Sequence, residues 1–91
     1  MEIETCVSDM PGVLEAAAFA LEHPLFGEVV ALAIHGAAAS LPADEQVRTF
    51  IAERLAAYKV PTQVYRVDQP LPRNATGKVL KAELKARLVS A

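Results

Sequence analysis

The stretch Leu71-Pro72-Arg73-Asn74-Ala75-Thr76-Gly77-Lys78-Val79-Leu80-Lys81 gathers the residues of this chain best suited to chemistry. Its centre is the pair Gly77-Lys78, which the local pattern places at the start of the last helix. The first turn of a helix carries partial positive charge and favours carboxylates, so a cation there costs about 0.3–1 kcal/mol. A lysine in such a place points to an anionic substrate that uses its ammonium. Gly77 lets the backbone turn without a Cβ, and Pro70 and Pro72 stiffen the approach.

A Gly-Lys pair also ends the phosphate loop of nucleoside triphosphatases, G-x-x-x-x-G-K-[ST]. Here the first glycine position is Pro72 and the final Ser/Thr position is Val79, so that reading fails. The chain has no other Gly-rich loop and cannot cradle ATP by itself. His23 lies in a turn without a cysteine or carboxylate cluster and reads as structural. Cys6, the only cysteine, reads as a small core residue; it forms no internal disulfide and no zinc site. It fits a reduced, cytoplasmic setting. Lys59 reads as a surface lysine and Tyr58 as a core residue at a helix end. Glu28 follows a turn glycine, with no chemistry to assign to it.

The formal net charge of −2 hides a division along the chain. Residues 1–53 hold one basic residue, Arg48, against nine acids; residues 54–91 hold eight basic residues against Asp68 and Glu83. Charge divided in this way points to an anionic partner for the C-terminal half. Lys81, Lys85 and Arg87 also fit the plain solvated face of a helix. The aromatic platform of single-strand nucleic-acid binders is missing, so no nucleic-acid partner is expected.

The elements that must position Lys78 follow from periodicity. Met1 to Asp9 reads as a short helix, stopped by Met10-Pro11-Gly12. Val13 to Leu21 and Val29 to Ile34 read as an antiparallel strand pair around the turn His23-Pro24-Leu25-Phe26-Gly27-Glu28. Gly36 to Leu41 is a loop. Pro42 to Tyr58 carries Val47, Ile51, Leu55 and Tyr58 at helical spacing and ends before Pro61. Gln63 to Val67 alternates as a half-buried strand. Asn74 to Gly77 turns, Thr76 caps the last helix, and Leu80, Leu84 and Leu88 line one face of it. The expected fold is α+β: a small, mostly antiparallel three-stranded sheet packed with helices in the order α-β-β-α-β-α. At 91 residues the chain is one domain. Its alanine-rich core is thin, for a chain this size buries roughly 60–68% of its unfolded surface. No apolar run approaches the ~18 residues of a membrane span, and no secretory signal opens the chain.

Four segments, in order, resemble the C-terminal domain of the adenylate-forming enzymes: acyl-CoA synthetases, luciferases and peptide-synthetase adenylation domains. They are Pro11-Gly12-Val13-Leu14-Glu15-Ala16-Ala17, the turn HPLFGE with the strand VVALAI, Tyr58-Lys59-Val60-Pro61, and LPRNATGKVLK. The likeness is greatest to acyl-CoA synthetases. It implies that residues 1–91 are a mobile lid whose partner is a large N-terminal domain. That domain binds ATP, Mg²⁺ and a carboxylic acid, and CoA is the second co-substrate. The resemblance assigns Lys78 the catalytic role in adenylation. It makes Gly77, Arg73 and Asn74 candidates for nucleotide contact, with loop shaping as the alternative for Arg73 and Asn74. No protein metal site is implied within the chain.

The hinge and Gly-rich loop that precede this region in the family, the nucleotide loop and the acyl pocket are absent from the sequence. No ligase activity is therefore expected from these 91 residues alone. Two other functions fit the same residues. One hands the acyl group to a carrier-protein pantetheine; the other is a non-catalytic module that binds an anionic partner.

Overall fold

The computed structural model describes residues 2–37 and 39–89. The expected first helix position, Met1, lies outside them, as does Ala38 of the 36–41 loop. The elements are α1 (Glu2–Val7), β1 (Glu15–His23), β2 (Gly27–His35), α2 (Asp44–Ala52), a 3₁₀ turn (Ala57–Lys59), β3 (Gln63–Val67) and α3 (Lys81–Val89). The order α-β-β-α-β-α is the one expected. Among the described residues no helix is long and apolar enough to cross a membrane.

β2 is the central strand. β1 runs antiparallel to it, from Glu15 opposite His35 to His23 opposite Gly27. The short turn Pro24–Phe26 permits this hairpin. His23 Nδ1 accepts the N–H groups of Leu25 (3.1 Å) and Phe26 (3.2 Å), so the histidine is structural, as its surroundings in the sequence suggested. β3 runs parallel to β2, from Gln63 beside Ala31 to Val67 beside His35. Parallel neighbours need a crossover, and α2 supplies it. The sheet is therefore mixed, with its longer ladder antiparallel.

Strand alternation splits the core into two layers. Ala16, Ala18, Leu32, Ile34 and Val64 face α1 and α2, where Val7, Met10, Val47 and Ile51 are buried. Ala17, Ala33, Tyr65 and Val67 face Leu71, Leu84 and Leu88 on the other side. Ala17 and Ala33 are directly opposed in the register. Their small side chains leave room for Leu71 and Leu84, which are 4% and 2% exposed. The alanines that weaken the strand signal of β1 thus make close packing of the last helix possible.

Two expected boundaries are corrected. α2 ends at Ala52 rather than Tyr58, although no proline or glycine stops it. Arg48 on α2 grips the segment just before β3: Nε donates to the Pro61 carbonyl (3.1 Å) and a terminal nitrogen to that of Thr62 (3.0 Å). Tyr58 accordingly sits on the 3₁₀ turn, 78% exposed, and is no core residue. α3 begins at Lys81, not at Gly77-Lys78. Lys78 lies three residues before the helix and not in its first turn. Thr76 does not cap α3.

Candidate active-site hairpin

Residues 73–79 form a tight hairpin between the sheet and α3, closed by an isolated antiparallel bridge between Arg73 and Val79. Asn74 organises its tip. Its Oδ1 accepts the Thr76 N–H (3.0 Å), the Thr76 hydroxyl (2.7 Å) and the Lys78 N–H (3.0 Å). Its backbone N–H donates to the Lys78 carbonyl (2.9 Å), and its own carbonyl accepts the Gly77 N–H (3.0 Å). An asparagine side chain that mimics a backbone turn in this way is common at loop tips. Gly77 has φ +88°, a conformation that costs other residues energy. A Cβ there would meet no atom within 4 Å, so the dihedral and not crowding calls for glycine.

The base of the hairpin is held by a charge pair. Arg73 donates from Nε (3.0 Å) and Nη2 (2.6 Å) to Oε2 of Glu15, the first residue of β1. Its Nη1 donates to the Gly77 carbonyl (2.7 Å). The other Glu15 oxygen, Oε1, accepts the Leu71 N–H (3.0 Å). Burial pushes the Glu15 carboxyl upward, but the hydrogen bonds from Arg73 and Leu71 and the charges of Arg73 and His35 outweigh it. The net result is a carboxyl below its ordinary range.

The four residues singled out in the sequence are thus brought into one hairpin. Arg73 and the Asn74 oxygen are engaged inside it. Lys78 is exposed at its tip, and among the described residues its ammonium has no hydrogen-bond or ion-pair partner. Glu15 was not singled out. Its only signal in the sequence is a carboxylate at the head of an alanine run.

Folding offsets part of the charge division seen along the chain. Lys59 pairs with Glu2, Lys81 with Glu4 (2.9 Å) and Arg73 with Glu15, so the basic half closes onto the acidic half. Arg87 is paired with Glu83 on its own helix (2.7 Å). The expectation of an anionic partner for the whole C-terminal half therefore narrows to the cations outside any ion pair among the described residues, Arg66, Lys78 and Lys85, of which Lys78 stands on the hairpin. Cys6 is half-buried against the α1–α2 layer; burial pushes its thiol up, which leaves it a poor nucleophile. Glu28 stands opposite Glu22 in the register, and the structure gives it no chemistry. A groove of about 800 Å³ lies beside the 3₁₀ turn among Ile3, Phe19, Phe26, Val30, Tyr58 and Val60. No residue of the hairpin lines it.

The chain belongs to the AMP-binding enzyme C-terminal domain family, which it matches over residues 2–78. It is 39% identical over 84 residues to 2-succinylbenzoate–CoA ligase of Geobacillus kaustophilus, covering 92% of this chain and 17% of that protein. It is 34% identical over 86 residues to the fatty acid–[acyl-carrier-protein] ligase ScoC of Streptomyces coeruleorubidus, covering 94% of this chain and 16% of that one. Its fold is similar to part of a Mycobacterium tuberculosis fatty acyl CoA synthetase, with a TM-score of 0.88 and 32% identity over 98% of this chain and 17% of that chain. The chain thus spans about a sixth of the length of the relatives it matches.

Proposed function

We propose that this domain is the moving C-terminal lid of an ATP-dependent acyl-CoA synthetase and that Lys78 is its adenylation lysine. The observation that carries this reading is an exposed ammonium, free of carboxylates among the described residues, on a hairpin whose backbone is tied at its tip and base. Such a group suits an anion supplied by another surface. The family membership supports a large ATP- and acid-binding domain as that surface.

The overall chemistry is carboxylate + ATP → acyl-AMP + pyrophosphate, then acyl-AMP + CoA → acyl-CoA + AMP. In the first step a carboxylate oxygen attacks the α-phosphorus, and two anions must approach. Charge then builds on the phosphoryl oxygens. An ammonium placed between them offsets both effects where water is excluded. The long stem of lysine spans the gap from hairpin to substrate. The hairpin's internal hydrogen bonds lower the entropy lost on docking. Arg73 and Asn74 act by shaping the loop. The large domain supplies the adenine contacts, Mg²⁺ and the acyl pocket, so the 91-residue chain alone forms no acyl-AMP.

The test joins this domain to the large domain, sought first in the coding sequence upstream of Met1. Lys78→Ala should slow acyl-AMP formation ~10²–10³-fold and leave thioester formation from supplied acyl-AMP nearly unchanged. An unaltered adenylation rate would sink the assignment. The likeness to an acyl-carrier-protein ligase supports a second acceptor, a carrier-protein pantetheine. Comparing product formed with CoA and with pantetheinylated carrier protein separates the two.

A further inference from the structure

We infer that Glu15 is a positioning residue for Lys78, acting through the Arg73 guanidinium on the Gly77 carbonyl. The inference rests on the reading of Lys78 as the working residue and adds a residue 63 positions away in sequence.

The geometry forms a continuous path. Glu15 opens β1, and its side chain is only 18% exposed, so the carboxylate is fixed by the sheet. One oxygen takes two Arg73 nitrogens at 3.0 and 2.6 Å, while the other takes the Leu71 N–H at 3.0 Å. The guanidinium is planar and rigid, so its third nitrogen is held in a set direction. That nitrogen donates to the Gly77 carbonyl at 2.7 Å, in the peptide group that leads into Lys78. Both ends of the hairpin are thereby referred to one carboxylate on the sheet: Leu71 and Arg73 at its start, Gly77 near its end.

The tip needs such a reference. Asn74 fixes the shape of the hairpin but touches only its own residues. Among the hydrogen bonds of the described residues, the Glu15–Arg73–Gly77 path is the one that ties this shape to β1. A charged contact depends steeply on placement, and a 1 Å error at a reacting group can cost ~10²-fold in rate. A hairpin correctly formed but free to rock would therefore leave Lys78 present and poorly aimed.

The first experiment uses the 91-residue chain and reads backbone amide hydrogen exchange residue by residue. Glu15→Gln keeps size and removes the charge. It should speed exchange at Gly77 and Lys78 about tenfold, the effect of losing one charge-assisted hydrogen bond, while Leu32 and Ile51 in the core stay unchanged. Arg73→Lys keeps the charge and loses the fork to Gly77; it should loosen the same two amides and serves if Glu15→Gln does not fold. No change at Gly77 and Lys78, or an equal rise across the core, would overturn the inference.

The second reads acyl-AMP formation in the enzyme that carries this domain. Glu15→Gln should lower kcat about tenfold with the KM for ATP unchanged, and should add no further loss to Lys78→Ala. Additive losses would show that Glu15 acts elsewhere and defeat the inference. If Lys78→Ala by itself leaves adenylation intact, the reading of Lys78 fails separately. The amide data then still decide whether Glu15 holds the hairpin.

Discussion

Asn74 holds Lys78 through both of its backbone groups: the Asn74 N–H donates to the Lys78 carbonyl at 2.9 Å, and Asn74 Oδ1 accepts the Lys78 N–H at 3.0 Å. The backbone of the candidate catalytic residue is thus closed into a ring by a residue four positions earlier, while its ammonium stays uncommitted. Shape and reactivity are separated within a single loop. Backbone groups, the Asn74 amide, the Thr76 hydroxyl and the Arg73 guanidinium build the hairpin, and the Lys78 ammonium takes no part in it.

Asn74→Ala should therefore cost more than an exposed loop substitution usually does. It removes the acceptor of three hydrogen bonds, each worth about 0.5–1.5 kcal/mol, though solvent replaces part of them here. A fall of about 1 kcal/mol corresponds to a Tm lowered by about 4–8 °C in a domain of this size. Asn74→Asp keeps the acceptor oxygen and should lose less. Thermal melts of the three proteins check the order.

Gly77 and Gly36 should resist alanine for different reasons. At Gly77 the cost is the left-handed backbone alone, about 1–2 kcal/mol, and Gly77→Asn should cost less because asparagine tolerates that region. At Gly36 the dihedral is ordinary, but a Cβ would run into the Gly12 carbonyl oxygen. Gly36→Ala must push two loops apart, at about 1–3 kcal/mol, and asparagine should be worse still. Urea midpoints that rank alanine and asparagine alike at both sites would contradict this account.

Acid should loosen the hairpin through Glu15. Its folded-state carboxyl titrates below the unfolded one, because Arg73, the Leu71 N–H and His35 outweigh the effect of burial. A lowered carboxyl contributes stability that is fully present above the unfolded value, about 4.3, and is lost as pH falls through the folded value. Wild type should exceed Glu15→Gln in stability near neutral pH, and the gap should close below about pH 4. Urea unfolding of both proteins across pH 3–7 measures it; a gap independent of pH would mean the charge is not the cause.

Leu84→Ala should be among the most damaging core changes, at about 2–5 kcal/mol. Leu84 is 2% exposed and packs with Ala17, Ala33 and Leu71, and those small alanines leave little that can collapse into the hole. Loss of α3 packing should also raise amide exchange across the 73–79 hairpin. Chemical denaturation followed by circular dichroism reads the first effect and exchange the second.

By itself the sequence determined the element order, the limits of β3, the structural role of His23 and the family, because each rests on residues close together. Gln63 to Val67 alternates with the period of a strand, and LPRNATGKVLK is a contiguous motif. What it misjudged depended on distant partners. α2 stops at Ala52, and Arg48 ties it to carbonyls 13 and 14 residues on. Lys78 leaves the helix for a hairpin whose base is anchored 58 residues earlier, at Glu15. Lys59, Arg73 and Lys81 of the basic half found counter-charges in the acidic half, which offset part of an expected binding surface. Local periodicity measures the preference of a segment for its own conformation. Only the tertiary structure brings together residues far apart in the chain, and that decided which charges were paired and which were left exposed.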